Sequence, residues 1–165
     1  MPQKREITVI GDIAMVPLTR GFTAKIDACD LDKVSGYNWF AIVQEHCVYA
    51  MRRVSGVNGR GSKISMHRHL MDAPDGVQVD HIDLDGLNNR RSNLRFASPS
   101  QNSANRRRNS KNTSGYKGVC WNKAAQKWQA SYVRKYLGLF NTPEEAYDAY
   151  CLAARQRHGD FARFT

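Results

Sequence analysis

The sequence predicts an α+β chain in three consecutive parts: a β-rich N-terminal segment, a strand–loop–strand–helix centre, and a three-stranded sheet followed by one helix. Three observations carry this. Short runs of β-branched and aromatic residues, separated by glycine-containing turns, recur along the 165 residues. Helix-capping signatures stand before residues 99 and 143. The run from Arg106 to Gly115 has no apolar residue and divides the last part from the rest.

Residues 1–66 form the β-rich segment. Ile7-Thr8-Val9-Ile10 is apolar and β-branched, and Phe22-Thr23-Ala24-Lys25-Ile26 alternates. The stretches 48–54 and 62–66 flank a turn with Gly56, Asn58, Gly59 and Gly61, the pattern of a hairpin. Asp30 is placed to cap a short helix ending near Gly36. Two roles stay open for this segment. It widens a polyanion-binding surface through Arg52, Arg53, Arg60 and Lys63, or it is the scaffold for a centre too small to fold alone.

Residues 67–106 are the centre, dense in His, Asp, Asn and Arg. Val77-Gln78-Val79-Asp80 reads as a strand, residues 83–89 as a polar loop containing Gly86, and Asn93-Leu94-Arg95-Phe96 as a second strand. Ser98 caps a helix with Pro99 at its first position and Gln101 completing the capping box, so Asn102 falls in the first turn. His67 and His69 would share a face if they lay on a strand.

Residues 107–115 read as an exposed basic linker. Residues 116–165 hold three expected strands, at 116–120, 128–134 and 136–140. Thr142, Pro143 and Glu145 start a helix, Ala146, Ala149, Tyr150, Ala153 and Ala154 form its apolar stripe, and Gly159 stops it.

Composition narrows the partners. Lys and Arg number 25 against 15 acidic residues, a net charge of +10. That excess costs the compact state self-repulsion, which points to a polyanion: nucleic acid first, an acidic membrane surface second. No apolar run is long enough to cross a bilayer, and the start lacks the apolar core of a secretory signal, so an intracellular, cytoplasmic protein is expected. Cys29, Cys47, Cys120 and Cys151 are scattered and form no CxxC pair, which argues against a thiolate zinc knuckle. No feature marks an obligate protein partner.

The centre carries the chemistry. Phosphodiester hydrolysis needs a base for water, a cation to neutralise phosphate and leaving oxygen, and a scaffold for both. His81 has the pKa of a base, Asp80 offers a hard carboxylate oxygen and Asn102 an amide oxygen. Adjacent strand residues point to opposite faces, so Asp80 and His81 face one site only if the strand ends or bends there. The run Val79-Asp80-His81-Ile82-Asp83-Leu84-Asp85-Gly86-Leu87-Asn88-Asn89-Arg90-Arg91-Ser92-Asn93-Leu94-Arg95, closing with Gln101-Asn102, resembles the HNH endonucleases of the ββα-metal class, nearest the phage and intron homing branch. There an Asp often replaces the first metal His and an Asn the last. The resemblance implies His81 as general base, Asp80 and Asn102 as metal ligands, and Asn93 as the residue fixing the loop that carries His81. Two oxygen ligands and no protein nitrogen favour one Mg²⁺ or Mn²⁺ per active site over zinc. The implied substrate is double-stranded DNA, with 5′-phosphate and 3′-hydroxyl products. One site in a monomer cuts one strand, so site-directed nicking is expected. Met66-His67-Arg68-His69-Leu70 resembles the family segment preceding the core, with His67 packing beside the site and Arg68 on phosphate. Leu18-Thr19-Arg20-Gly21-Phe22 and Tyr37-Asn38-Trp39 resemble the lead-in to phage HNH cores.

The last part adds a reader. Ser114-Gly115-Tyr116-Lys117-Gly118-Val119, Lys127-Trp128-Gln129-Ala130 and Tyr136-Leu137-Gly138-Leu139-Phe140, with the helix after Thr142, resemble an AP2 DNA-binding domain. In that family the sheet enters the major groove. The expected DNA contacts are Arg68, Arg106, Arg107, Arg108, Lys111, Lys117, Trp121, Lys123, Lys127 and Trp128. Cys120 stands where plant members often carry Arg, so base specificity does not transfer. The alternative is a DNA-binding regulator that keeps the HNH fold without activity; intact Asp80, His81 and Asn102 argue against it. A duplex-RNA binder is disfavoured, because the A-form major groove is too deep and narrow for a sheet.

Overall fold

The computed structural model describes residues 5–54 and 61–164. The expected turn at Gly56, Asn58 and Gly59, with Arg60, lies outside those residues. The chain divides into two compact units, Met1–Ser98 and Pro99–Thr165.

The first unit opens with an antiparallel sheet of β1 (Thr8–Ile10), β2 (Ile13–Pro17) and β3 (Thr23–Asp27), paired in chain order. Gly11, at φ 60°, takes the left-handed position of the two-residue turn that pairs Ile10 with Ile13. Strand β2 goes beyond the strands the sequence predicts, because Pro17 at its end weakens the strand signal. Alternation sends Ala14, Val16, Ala24 and Ile26 inward, where they meet Val34 of α1 (Leu31–Ser35) in one core. Asp30 sits at the N-cap of α1 and Gly36 ends it, as the sequence predicts, although the Asp30 side chain makes no capping bond.

A second sheet holds β4 (Phe40–Val43), β5 (Val48–Val54) and β6 (Ser62–Ser65). The β5–β6 hairpin expected from the sequence is present, pairing Met51 with Ser65 and Arg53 with Lys63. Strand β6 runs straight into α2 (Met66–Leu70), whose Met66 and Leu70 are fully buried. Each such side chain contributes about 2–3 kcal/mol of transfer free energy. His67 and His69 therefore lie on a helix rather than a strand. Positions two apart on a helix point roughly opposite ways, so the pair does not share a face. Strand β7 (Gln78–His81) pairs antiparallel with β8 (Leu94–Ala97), matching Val79 to Phe96, Asp80 to Arg95 and His81 to Leu94.

The second unit begins with α3 (Pro99–Ala104). A three-stranded antiparallel sheet follows, β9 (Val119–Asn122), β10 (Lys127–Tyr132) and β11 (Lys135–Phe140), with β10 central. Helix α4 (Pro143–His158) packs on it through Ala146, Tyr150 and Ala154, spaced four apart on one face. Its N-terminus carries both halves of the expected capping box: Thr142 Oγ1 accepts from Glu145 N at 3.2 Å, and Glu145 Oε2 accepts from Thr142 N at 3.4 Å. Gly118, at φ 76°, lets β9 pass under the helix; a Cβ there would stand 2.1 Å from the Tyr150 ring. The basic stretch before β9 is more ordered than a solvated linker. Asn112 Nδ2 donates to Tyr116 O and Val119 O, and Ser114 Oγ donates to the same two carbonyls.

Candidate functional site

The site-bearing residues of the first unit gather at the end of β7. Asp80 and His81 are 4% and 6% exposed. Both residues stand in the ladder, Asp80 opposite Arg95 and His81 opposite Leu94, and β7 ends at His81. Asp80 Oδ2 lies 3.0 Å from both Nε and Nη2 of its cross-strand partner Arg95. His81 turns its ring between two others, with centroids 4.8 Å from His67 and 6.0 Å from Tyr49.

The loop between β7 and β8 is held from inside by two asparagines. Asn93 Oδ1 accepts from Asp83 N at 3.0 Å, while its Nδ2 donates to Asp83 Oδ1 and Asn88 O, both at 2.8 Å. Asn89, fully buried, places Oδ1 3.2 Å from His81 Nε2 and donates through Nδ2 to Gly86 O at 3.4 Å. The second bond fixes which end of the amide faces the ring. Its oxygen accepts, so Nε2 carries the proton and Nδ1 is the basic nitrogen. Sequence reading missed Asn89; the only available signal was its place in the Asn88-Asn89 pair of a loop otherwise rich in Asp and Arg.

The N-terminal sheet grips this loop from outside, which gives the segment its scaffold role. Lys25 N donates to Leu87 O at 2.8 Å and Asn89 N to Lys25 O at 2.7 Å. Arg90 Nε bonds Asp27 at 2.7 Å, and Arg91 forks onto Asp30 at 2.6 and 2.8 Å. On its other side the loop meets β5. A Cβ on Gly86 would lie 2.5 Å from Val48 O, 2.7 Å from the Tyr49 ring and 2.8 Å from Cys47 Sγ.

Burial dominates the electrostatics. It lowers His81 below the ordinary histidine range, against opposing contributions from Asn89 and from Asp83, Asp80 and Asp85. It takes His67 down to about 3, helped by the neighbouring His81 and Arg68. Both rings are therefore neutral at pH 7. Burial also lifts Tyr49 to about 12, assisted by Cys47 and Asp80. Burial alone would raise Asp83, but bonds from Asp85 N, Asn88 and Asn93 outweigh it and hold that carboxyl below its usual range.

The remaining expected residues fall in several places. Asn102 stands on α3 of the second unit. Arg68 spends its guanidinium on Val77 O, Ala73 O and Pro74 O, closing the loop after α2. Lys117 spends its ammonium on Ala104 O, Arg106 O and Arg163 O at 2.9, 2.6 and 3.2 Å, and burial, then Arg163, lowers it to about 8. Arg106, Arg107, Arg108, Lys111, Lys123 and Lys127 are exposed. Trp121 and Trp128 are register partners, their rings 5.1 Å apart. They share a sheet face with Val119 and Ala130; Trp128 packs into the core there with Ala146 of α4, whereas Trp121 stays 41% exposed. The opposite face presents Cys120, Lys127, Gln129 and Leu139, a set of which sequence reading named only Lys127 as a DNA contact.

Residues 72–104 match the HNH endonuclease family. The chain is 35% identical over 94 residues to Protein 3.8 of Escherichia phage T7, a match covering 55% of this chain and 78% of that protein. It is 33% identical over 106 residues to the uncharacterized HNH endonuclease L560 of Acanthamoeba polyphaga mimivirus, covering 61% of this chain and 56% of that one. No solved structure matches. Among the described residues no helix is long and apolar enough to cross a membrane.

Proposed function

We infer that this chain, which belongs to the family of Protein 3.8 of Escherichia phage T7 and carries an HNH endonuclease segment over residues 72–104, is a metal-dependent DNA endonuclease with His81 as general base. One observation supports this above the others: His81, neutral and buried at the end of β7, has its tautomer set by Asn89 beside the carboxylate of Asp80. A histidine whose Nδ1 is basic at pH 7 takes a proton from water as its oxygen attacks phosphorus. The P–O3′ bond then breaks, leaving 5′-phosphate and 3′-hydroxyl ends.

The donor set suits one hard divalent cation, Mg²⁺ or Mn²⁺. On the HNH resemblance Asp80 would supply a carboxylate oxygen and Asn102 an amide oxygen. When bound, such a cation neutralises charge on the phosphate and the leaving oxygen. Asn93 and Asn89 touch neither water nor phosphate in this scheme; they are positioning residues for His81.

The sheet-and-helix arrangement of the second unit supports an AP2-like DNA reader, with the uncovered face toward the duplex and Arg106, Arg107, Arg108, Lys111, Lys123 and Lys127 as phosphate contacts. Arg68, Lys117 and Trp128 contribute through the fold instead, while Trp121, 41% exposed, stays with the DNA contacts. A site-directed nick of homing type fits one active site per chain.

The Arg95–Asp80 ion pair gives a second reading some support, since Arg95 already neutralises the carboxylate: a DNA-binding regulator without activity. Incubating the protein with duplex DNA carrying random inserts, in Mg²⁺ or Mn²⁺ and in EDTA, separates them. Metal-dependent cuts establish the nuclease. Tight, salt-sensitive binding without cuts establishes the regulator.

A further inference from the structure

We propose that the outward end of the β5–β6 hairpin is a second phosphate clamp, gripping the DNA strand within about four phosphates of the one at His81. The proposal rests on the nuclease reading above and adds a contact surface in the first unit.

The strand register carries it. Arg53 and Lys63 are direct cross-strand partners, and both are exposed. Like charges directly opposite each other destabilise a hairpin, so such a pair calls for a compensating anion. Among the described residues neither has an ion-pair partner, and no residue of the connecting stretch 55–60 is acidic. By contrast Arg52, one position along, faces the other way and stacks on the Tyr37 ring at 4.0 Å.

The same register ties the cationic pair to the site. Tyr49, Met51 and Arg53 share one face of β5, and Lys63 and Ser65 share it on β6. At the inner end of that face, Tyr49 lies 6.0 Å from the His81 ring. There too Ser65 Oγ bonds His67 Nε2 at 3.0 Å, and the His67 ring stands 4.8 Å from His81. Arg53 is four residues further along β5 than Tyr49, about 13 Å of strand. A DNA strand places one phosphate per roughly 3.4 Å of helix axis, so a backbone lying along this face meets Arg53 and Lys63 within about four phosphates of the cut.

The test pairs stability with binding in the full chain. Arg53→Gln/Lys63→Gln removes both charges; Arg53→Lys/Lys63→Arg keeps them. Expected for the Gln pair is an unfolding temperature equal to or above wild type, because a repulsion is gone. Its duplex-DNA affinity should fall on the order of 60-fold at 0.1 M salt, with the log–log salt slope reduced by about 1.8. Ethylation interference should lose the signals up to about four phosphates from the cut and keep those at the cut itself. The charge-keeping pair should behave as wild type. If wild type binds and cuts DNA while the Gln pair keeps its slope and affinity, the clamp is overturned alone. If wild type binds no duplex DNA, the nuclease reading falls and takes the clamp with it.

Discussion

Replacing Asn93 by alanine removes the residue that closes the loop behind His81. Three hydrogen bonds go: two with backbone groups, Asp83 N and Asn88 O, and one to the Asp83 carboxylate. Each backbone bond is worth about 1 kcal/mol net. The bond to the carboxylate would be worth about 2 if dry, but Asp83 is exposed, so about 1 is retained after screening. The sum is about 3 kcal/mol, which shifts the unfolding temperature of a unit this size by roughly 12 to 24 °C. Urea unfolding monitored by near-UV circular dichroism reads the loss. Asn93→Asp should do no better, because it keeps one acceptor, loses both donors and sets a second carboxylate against Asp83. At temperatures where the variant is folded, cleavage should still be impaired, since the loop no longer sets the Asn89–His81 geometry. A loss below about 1 kcal/mol would refute this description of the loop.

Three further outcomes follow from the same contacts. Gly86→Ala forces a Cβ into Val48 O, Tyr49 and Cys47 and should cost about 1–3 kcal/mol in urea unfolding; a neutral variant would mean that loop and β5 part easily. His67 titrates near 3 when folded and near 6.5 when unfolded, so below pH 6.5 the unfolded chain takes up a proton that the folded one refuses. His67 should therefore cost about 2 kcal/mol of stability between pH 7 and 5, a contribution that His67→Gln removes while that of the lowered His81 stays, as pH-dependent unfolding would show. Lys117→Met strands three carbonyls and should lower the stability of the second unit by about 1–3 kcal/mol while leaving the salt slope of DNA binding unchanged; a slope reduced by about 1 with unchanged stability would instead mark Lys117 as a phosphate contact.

Local signals announced themselves well. Thr142, Pro143, Glu145 and Gly159 each act within one helical turn, and α4 runs between the ends they define. Alternation and glycine spacing likewise placed β5, β6, β10 and β11, whereas β9 begins at Val119, three residues later than expected, after Gly118 at φ 76°. Roles decided by distant partners were less legible. Nothing near Arg68 or Lys117 in sequence tells that their charges close on backbone carbonyls, up to 46 residues away for Lys117. Asn89 looked like one more loop amide; the bridge of Lys25 to Asn88 and the bond from Asn89 N to Lys25 O hold its backbone, and its side chain meets His81. Trp128 carries the composition of a nucleic-acid face, yet register sets it beneath α4. The pairing of Arg90 and Arg91 with Asp27 and Asp30 spans more than 60 residues and converts an apparent basic surface into a brace for the loop.

The most direct test of His81 as the base is single-turnover cleavage of a mapped DNA site by wild type and His81→Ala, with DNA affinity measured alongside. Expected is a metal-dependent wild-type rate that drops by roughly 10²–10⁴ in the variant at unchanged affinity, because a base is lost and the binding surface is not. A variant that cuts as fast as wild type, or a wild type that binds tightly and never cuts, would contradict it.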